Sequence, residues 1–261
     1  MPLVSIIMPS YNSSAHITSS IESVVRQTLG DWELIICDDG SDDDSLDIAI
    51  AFSNTDARIK VFENTNKKGA AGARNTCLSE ACGRYVAFLD SDDLWYEDKL
   101  ELQIEFMRNN SFSFTFTYHE VIDEQGVLLK SYKAPRKVDL KVMKYANFVP
   151  CLTAVYDSEV LGKVSQPEIK KRNDFALWLK ILSINQDMCA YCLPVVTAKY
   201  RENNYGLSSR KISTLSFFRY CLVEHGNVSR LSSHAYSLIY IGIYAVKSKW
   251  VSAYNFLVTK I

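Results

Sequence analysis

The chain is predicted to fold as an α/β protein with a largely parallel sheet flanked by helices, and three observations carry that prediction. Apolar runs of strand length alternate with segments of helical periodicity through the first hundred residues, the order expected of β-α-β units with right-handed crossovers. Three of those runs end in polar loops rich in Asp, Ser and Asn. At 261 residues the chain can bury a substantial core, as one large domain or a domain with an appendage.

The elements follow in order. Leu3 to Met8 reads as a strand that ends in Pro9-Ser10-Tyr11-Asn12. Ser13 or Ser14 then caps a helix whose apolar face is Ile17, Ile21, Val24 and Val25. Trp32 to Cys37 is a second, buried strand running into Asp38-Asp39-Gly40-Ser41-Asp42-Asp43-Asp44, and Ser41 or Asp42 caps a helix carrying Leu46, Ile48, Ala49 and Phe52. Ile59 to Phe62 is a short strand. Gly69-Ala70-Ala71-Gly72 opens a helix through Ala73, Cys77, Leu78 and Ala81, which Gly83 ends before the strand Tyr85 to Leu89. A helix over about 96–108 follows. Phe112, Phe114, Phe116 and Tyr118 then alternate as in a strand with one buried face.

Composition narrows the function. A hydrophobic content of 48% with 23% charged residues is that of a globular chain. The net charge of −1 argues against a nucleic-acid binder, which carries a clustered basic excess. The seven cysteines are odd in number, and Cys189 and Cys192 form one Cys-x-x-Cys with no second pair. They read as reduced core thiols of a cytoplasmic protein. Met8-Pro9 breaks the only early apolar run, so no signal peptide is expected. The longest apolar stretch, Leu238 to Val246, falls short of the roughly 20 residues of a membrane span.

The chemistry concentrates where the strands end. Asp90-Ser91-Asp92-Asp93 places three carboxylates in four positions directly after a strand. Such crowding costs repulsion unless a cation or proton sits among the acids, and hard divalent ions share carboxylate and phosphate oxygens. The same sequence is also that of a solvated acidic turn. The second acidic loop, Asp38 to Asp44, and the Ser10-Tyr11-Asn12 loop have the same layout, and ligands of open α/β sheets bind beyond the carboxyl ends of the strands.

Four segments occur in an order that resembles the family 2 glycosyltransferases: Val4 to Asn12, Asp38 to Asp43, Gly69 to Asn75, and Phe88 to Trp95. The resemblance implies an inverting enzyme with the GT-A fold, in which a Rossmann-like nucleotide-binding half (1–95) passes without a linker into an acceptor-binding half (96–211). It implies that Pro9, Tyr11 and Asp39 contact the uracil and ribose of a UDP-sugar. Arg74 would place the nucleotide and the Asp90 loop. Asp90 and Asp92 would form the family's Asp-x-Asp, with Asp92 the principal ligand of Mn²⁺ or Mg²⁺ and Asp93 close to the donor sugar. Arg74 and Asn75 taken alone read equally well as a surface helix turn.

Two later segments line up with the same family. Lys171 to Lys180 resembles its Glu-Asp helix start, which makes Asp174 the candidate general base; Asn173 stands where the family usually has Glu. An inverting transfer needs a carboxylate opposite the leaving UDP to take the acceptor's proton. Asp174 also suits the role of helix cap. Tyr200 to Lys211 resembles a loop that closes over the diphosphate, so Arg201, Ser208 and Ser209 would donate to it, with Arg210 or Lys211 adding charge. Many members have a His in this loop, where this chain has Asn203 and Asn204. His16, His119, His225 and His234 read as ordinary surface or core residues.

Residues 212–261 change character. From Lys211 onward six basic residues face only Glu224, interleaved with aromatic and aliphatic residues. Basic amphipathic helices of this kind lie on anionic membrane surfaces; an appendage packed on the catalytic domain, or a homodimer interface, would look the same. The expected activity is transfer of a hexose or N-acetylhexosamine from a UDP-sugar to a lipid-linked or other saccharide acceptor in surface polysaccharide synthesis, at the inner face of the cytoplasmic membrane. A non-catalytic nucleotide-sugar binder on the same fold is the alternative, prompted by Asn173. A Rossmann oxidoreductase is disfavoured, since no Gly-x-Gly-x-x-Gly follows the first strand.

Overall fold

The structure is a computed structural model that describes residues 1–202 and 211–260, with side chains from residue 215 in the second segment. Its first half runs β1 (Val4–Ser10), α1 (Ile17–Val25), β2 (Trp32–Asp38), α2 (Ser45–Thr55), β3 (Ile59–Glu63), α3 (Ala70–Glu80), β4 (Tyr85–Phe88) and β5 (Leu94–Trp95). Next come α4 (Lys99–Asn110), β6 (Phe114–Ile122), β7 (Leu128–Tyr132), β8 (Lys137–Asp139), α5 (Leu140–Met143), β9 (Val155–Asp157), α6 (Ser158–Leu161), α7 (Asn173–Leu182) and β10 (Cys189–Arg201). Three helices close the chain: α8 (Lys211–His225), α9 (Arg230–Lys249) and α10 (Val251–Val258).

Among the described residues ten strands join one sheet in the order β3-β2-β1-β4-β9-β6-β10-β5, with β7 on β6 and β8 on β10. The β3-β2-β1-β4 block is parallel throughout, as the helices between its strands require. β9 then pairs antiparallel with both β4 and β6, while β6 and β10 run parallel. Consecutive strand residues point to opposite faces, so the apolar runs fill two cores. Ile6, Met8, Leu34, Ile36, Ala87 and Leu89 pack with Ile17, Ile21, Leu100 and Ile104 on one face. Ile7, Ile35, Cys37, Val86 and Phe88 pack with Ala73, Cys77 and Trp178 on the other.

The structure moves three expected features. The helix expected from about residue 96 starts at Lys99, because Leu94 and Trp95 pair with Lys199 and Ala198 as an edge of the sheet. β6 is buried on nearly its whole length rather than on one face, since it lies between β9 and β10 with helices to either side. The helix starts also differ. α1 begins without a side-chain cap, and Ser13 instead bonds Ser10 Oγ. α2 begins at Ser45, whose amide donates to Asp43; burial opposes ionisation there, but hydrogen bonds from Ser45 and Ser14 hold the Asp43 carboxyl down at about 2.

The last three helices pack on the sheet's α7 side. Phe218, Cys221, Leu222, Tyr254 and Val258 are buried in the larger core, and Phe218 stacks between Phe175 of α7 and Tyr240 of α9 at 5.2 and 4.6 Å. Their opposite face is exposed, with Leu231 at 85% and Leu238 at 72% of full accessibility. Among the described residues no helix is long and apolar enough to cross a membrane.

One buried charge stands out. Lys99 is fully buried, donates to Gln103 Oε1 at 2.9 Å and sits 4.2 Å from the centre of the Trp95 ring. Burial lowers its pKa to about 7, so between about pH 7 and the ordinary lysine value the unfolded chain holds a proton that the folded one has released. Folding stability contributed by this group rises with pH across that window and is lowest below it. Lys99→Met is therefore expected to show its largest stability advantage over wild type at or below pH 7, shrinking steadily toward pH 9. Denaturant midpoints at three pH values check it.

Candidate active site

The strand ends form one crevice. Ser10 pairs in register with Asp38, and the Asp39 amide donates to Ser10 O at 2.8 Å, so the first two loops lie side by side. They are stitched further by Asn12 N to Ser41 Oγ at 3.0 Å and Asp42 N to Asn12 Oδ1 at 2.9 Å. Asn12 takes a left-handed φ of 47° to make this turn, a conformation asparagine tolerates better than most residues. Asp38 accepts from Gly40 N, Ser41 N and Ser41 Oγ, which makes it the organiser of its own loop.

Within this crevice Tyr11 is half exposed, with Lys68 Nζ 5.2 Å from its ring centre. Asp39 is buried; its two oxygens accept from Asn64 Nδ2 at 2.5 Å and Gly69 N at 2.7 Å, each keeping a second lone pair. Pro9 is buried inside β1, opposite Cys37. Gly72 lets α3 start this close, because a Cβ there would lie 1.9 Å from Lys67 O.

Arg74 is the centre of the arrangement. It projects from α3, only 5% exposed, and its guanidinium makes an ion pair with Asp90 through Nη2 and donates to Asn173 Oδ1 at 3.3 Å through Nη1. Burial alone would lower its pKa; the Asp90 charge outweighs that and raises it, with Asp174 adding in the same sense. One cation thus ties the end of β4 to the start of α7, 99 residues apart in sequence from Arg74. Among the described residues its buried Nε has no hydrogen-bond partner.

The acidic loop behind Asp90 is strongly perturbed. Burial, and then the Asp90 charge, push the Asp92 carboxyl up to about 6. Burial, then Asp92 and Asp90, raise Asp93 well above the usual carboxylate range. Asp93 Oδ1 accepts from Arg201 N at 2.9 Å. Arg201 is itself buried, and its guanidinium donates to the carbonyl oxygens of Asp92, Asp123 and Glu124 at 2.9, 3.1 and 2.9 Å. Through these bonds it braces the acidic loop. Ser208 and Ser209 lie outside the described residues, as do Asn203, Asn204 and Arg210.

Asp174 sits in the first turn of α7. It is not the cap: Arg172 precedes the helix in the left-handed region at φ 60°, and Asn173 Oδ1 receives the Asp174 amide at 2.9 Å. The Asp174 carboxylate accepts from Asn147 Nδ2 at 2.7 Å. Asn147 carries no motif, and nothing in the sequence marks it as a partner of a residue 27 positions away. Asn173 keeps an oxygen acceptor for Arg74 where a glutamate would have supplied a charge.

The fold and the crevice are those of a nucleotide-sugar-dependent transferase. The sequence model of Glycosyl transferase family 2 matches residues 5–156, and the chain belongs to that family. It is 43% identical over 213 residues to UDP-Glc:alpha-D-GlcNAc-diphosphoundecaprenol beta-1,3-glucosyltransferase WfgD of Escherichia coli, covering 82% of each chain. It is 41% identical to the putative teichuronic acid biosynthesis glycosyltransferase TuaG of Bacillus subtilis, over 80% of this chain and 83% of that one. The crystal structure of S. aureus TarS 1-349 in complex with UDP-GlcNAc superposes with a TM-score of 0.68 at 20% identity, over 92% of this chain and 72% of that one, a likeness of fold.

Proposed function

We propose that the chain transfers a hexose or N-acetylhexosamine from a UDP-sugar to a saccharide carried on a polyprenyl diphosphate, with inversion at the anomeric carbon, during surface polysaccharide synthesis. The observation that supports this reading is the Arg74 bridge, which pairs with Asp90 and donates to Asn173, the neighbour of Asp174. The E. coli relative is named for forming a β-linkage from UDP-Glc on a diphosphoundecaprenol acceptor. UDP-glucose is α-linked, so that outcome is inversion.

The roles follow from position. Tyr11 and Asp39, with Pro9 behind them, form the nucleoside side of the crevice. Asp90 and Asp92 suit a divalent ion, Mn²⁺ or Mg²⁺. Burial, and then the Asp90 charge, hold the Asp92 carboxyl up, and a cation between the two acids would offset both. Such an ion neutralises the charge that grows on departing UDP. Arg74 holds Asp90 in place, and Asp93 closes the loop toward the sugar. Asp174 takes the proton of the acceptor hydroxyl as that oxygen bonds to the anomeric carbon and the bond to UDP breaks. The Asn147 amide holds one carboxylate oxygen, leaving the other for the proton. Retention of the Arg74 contact by Asn173 supports a working site over a purely binding protein.

The acceptor's lipid implies work at a membrane surface. Leu231, Leu238, Trp250 and Phe256 are exposed along α9, α10 and the turn between them, with Arg230, Lys249 and Lys260 also exposed nearby. Apolar side chains flanked by cations suit an anionic bilayer, so peripheral association through this face is part of the proposal.

Three outcomes are expected. Asp92→Asn should fold normally yet lose transfer, and wild type should lose it in EDTA and regain it with Mn²⁺ or Mg²⁺; full turnover in EDTA would contradict the metal role. Asp174→Asn should still bind UDP in calorimetry while turnover falls by roughly 10² or more; near-normal turnover would move the base elsewhere. Replacing Leu231, Leu238, Trp250 and Phe256 together by Ser should release the protein from anionic liposomes in co-sedimentation without lowering its melting temperature. Unchanged co-sedimentation would remove the membrane reading.

A further inference from the structure

A second cavity, about 220 Å³, opens on the Asp174 side of Arg74, apart from the nucleoside crevice. Its walls are unusual in drawing on the closing helices: Tyr240, Tyr244 and Lys247 of α9 face Lys130 of β7, with Asn147 and Arg172 at its inner end. Asn147 is the residue that donates to Asp174, and Arg172 lies two residues before Asp174. The inner end of the cavity is therefore formed by the amide that holds the Asp174 carboxylate.

Its chemistry is cationic and aromatic. Arg172 donates to Tyr240 Oη at 2.5 Å and lies 4.7 Å from the centre of that ring. Lys247 Nζ has no carboxylate partner among the described residues; it sits over the Tyr132 and Tyr254 rings at 4.6 and 5.5 Å. Burial of its amine lowers the pKa to about 8, the behaviour of a cation lacking an anion. Lys130 is 3.9 Å from Glu202, the one acid in the lining. Three cations against one carboxylate suit a doubly charged diphosphate, and the exposed Tyr244 ring suits the face of a sugar.

Resting on the proposed transfer to a lipid-linked saccharide, we infer that this cavity is the acceptor site, in which Lys247, Arg172 and Lys130 hold the diphosphate of the lipid-linked acceptor while Tyr244 flanks its sugar. The donor diphosphate belongs on the other side of Arg74, at the ends of β1, β2 and β4. The same helix carries Lys247 inward and Leu238 outward, so a lipid chain leaving the cavity meets the apolar face of α9.

The test uses the full chain, UDP-glucose, and two acceptors: undecyl N-acetylglucosaminyl diphosphate and the undecyl glycoside lacking the diphosphate. Lys247→Gln should raise KM for the diphosphate acceptor about tenfold or more, the scale of one lost charge-assisted contact. KM for the glycoside and for UDP-glucose should move less than about twofold on the same grounds. With wild type, undecyl diphosphate should compete with the acceptor and not with UDP-glucose, a measurement independent of how the variant folds. Equal loss on both acceptors, an unchanged KM for the diphosphate acceptor, or competition with UDP-glucose would each overturn the assignment. If wild type glycosylates neither acceptor, the proposed acceptor class itself fails, and this site with it.

Discussion

A buried arginine with a carboxylate partner on one side and an amide oxygen on the other is the constraint around which this molecule is arranged. Removing a guanidinium from water is costly unless its hydrogen-bonding capacity is met in good geometry. Arg74 meets part of it with Asp90 and Asn173, and those two contacts fix three elements at once: α3, which carries it, the end of β4, and the start of α7. The tight approach of α3 to the sheet is a precondition. Small residues, Ala71, Gly72 and Ala73, line its start, and Cys77 Sγ reaches Met8 O at 3.8 Å. A larger residue at 72 would push the helix off the Asn64 to Gly69 loop that also closes over Asp39.

The same arrangement accounts for Asn173. Asp90 and Asp174 already place negative charge beside Arg74, while burial first, and then the neighbouring carboxylates, hold the Asp92 and Asp93 protons above the ordinary range. A further carboxylate at 173 would add to that repulsion. An amide oxygen retains the hydrogen bond to Arg74 without the charge, so orientation of the α7 start is preserved while the electrostatic load is reduced. The αL backbone at Arg172 turns the chain sharply just before it, and the Arg172 side chain then lies against Phe218 and Tyr240. The closing helices are thereby coupled to the helix that carries Asp174.

Much of this was legible in the sequence because its signals are local. The strands Val4–Ser10, Trp32–Asp38 and Tyr85–Phe88 are continuous apolar runs, as doubly covered parallel strands must be, and each ends directly in its polar loop. What escaped was set by contacts distant along the chain. Leu94 and Trp95 read as the approach to a helix, and only pairing with β10 makes them a strand. Arg201, expected beside the diphosphate, donates to the carbonyl oxygens of Asp92, Asp123 and Glu124, partners that no local signal announces. Asn147 has no signature at all. The closing helices were ambiguous for a different reason. With one side packed on Phe175 and another exposed at Leu231 and Leu238, their apolar residues fall on more than one face and blur the helical period. Packing on the domain and an exposed apolar surface, which looked like alternatives, coexist.

In the proposed reaction, donor and acceptor meet between two carboxylate groups on opposite sides of Arg74, so that transfer is a single displacement. The anomeric configuration of the product reports this most directly. With UDP-glucose and a diphosphate-linked N-acetylglucosamine acceptor, proton NMR of the first product formed should show the large anomeric coupling of a β-linked glucose. An α-linked product would require a double displacement or a front-face path, and would contradict the proposed roles of Asp174 and the Asp90 loop together.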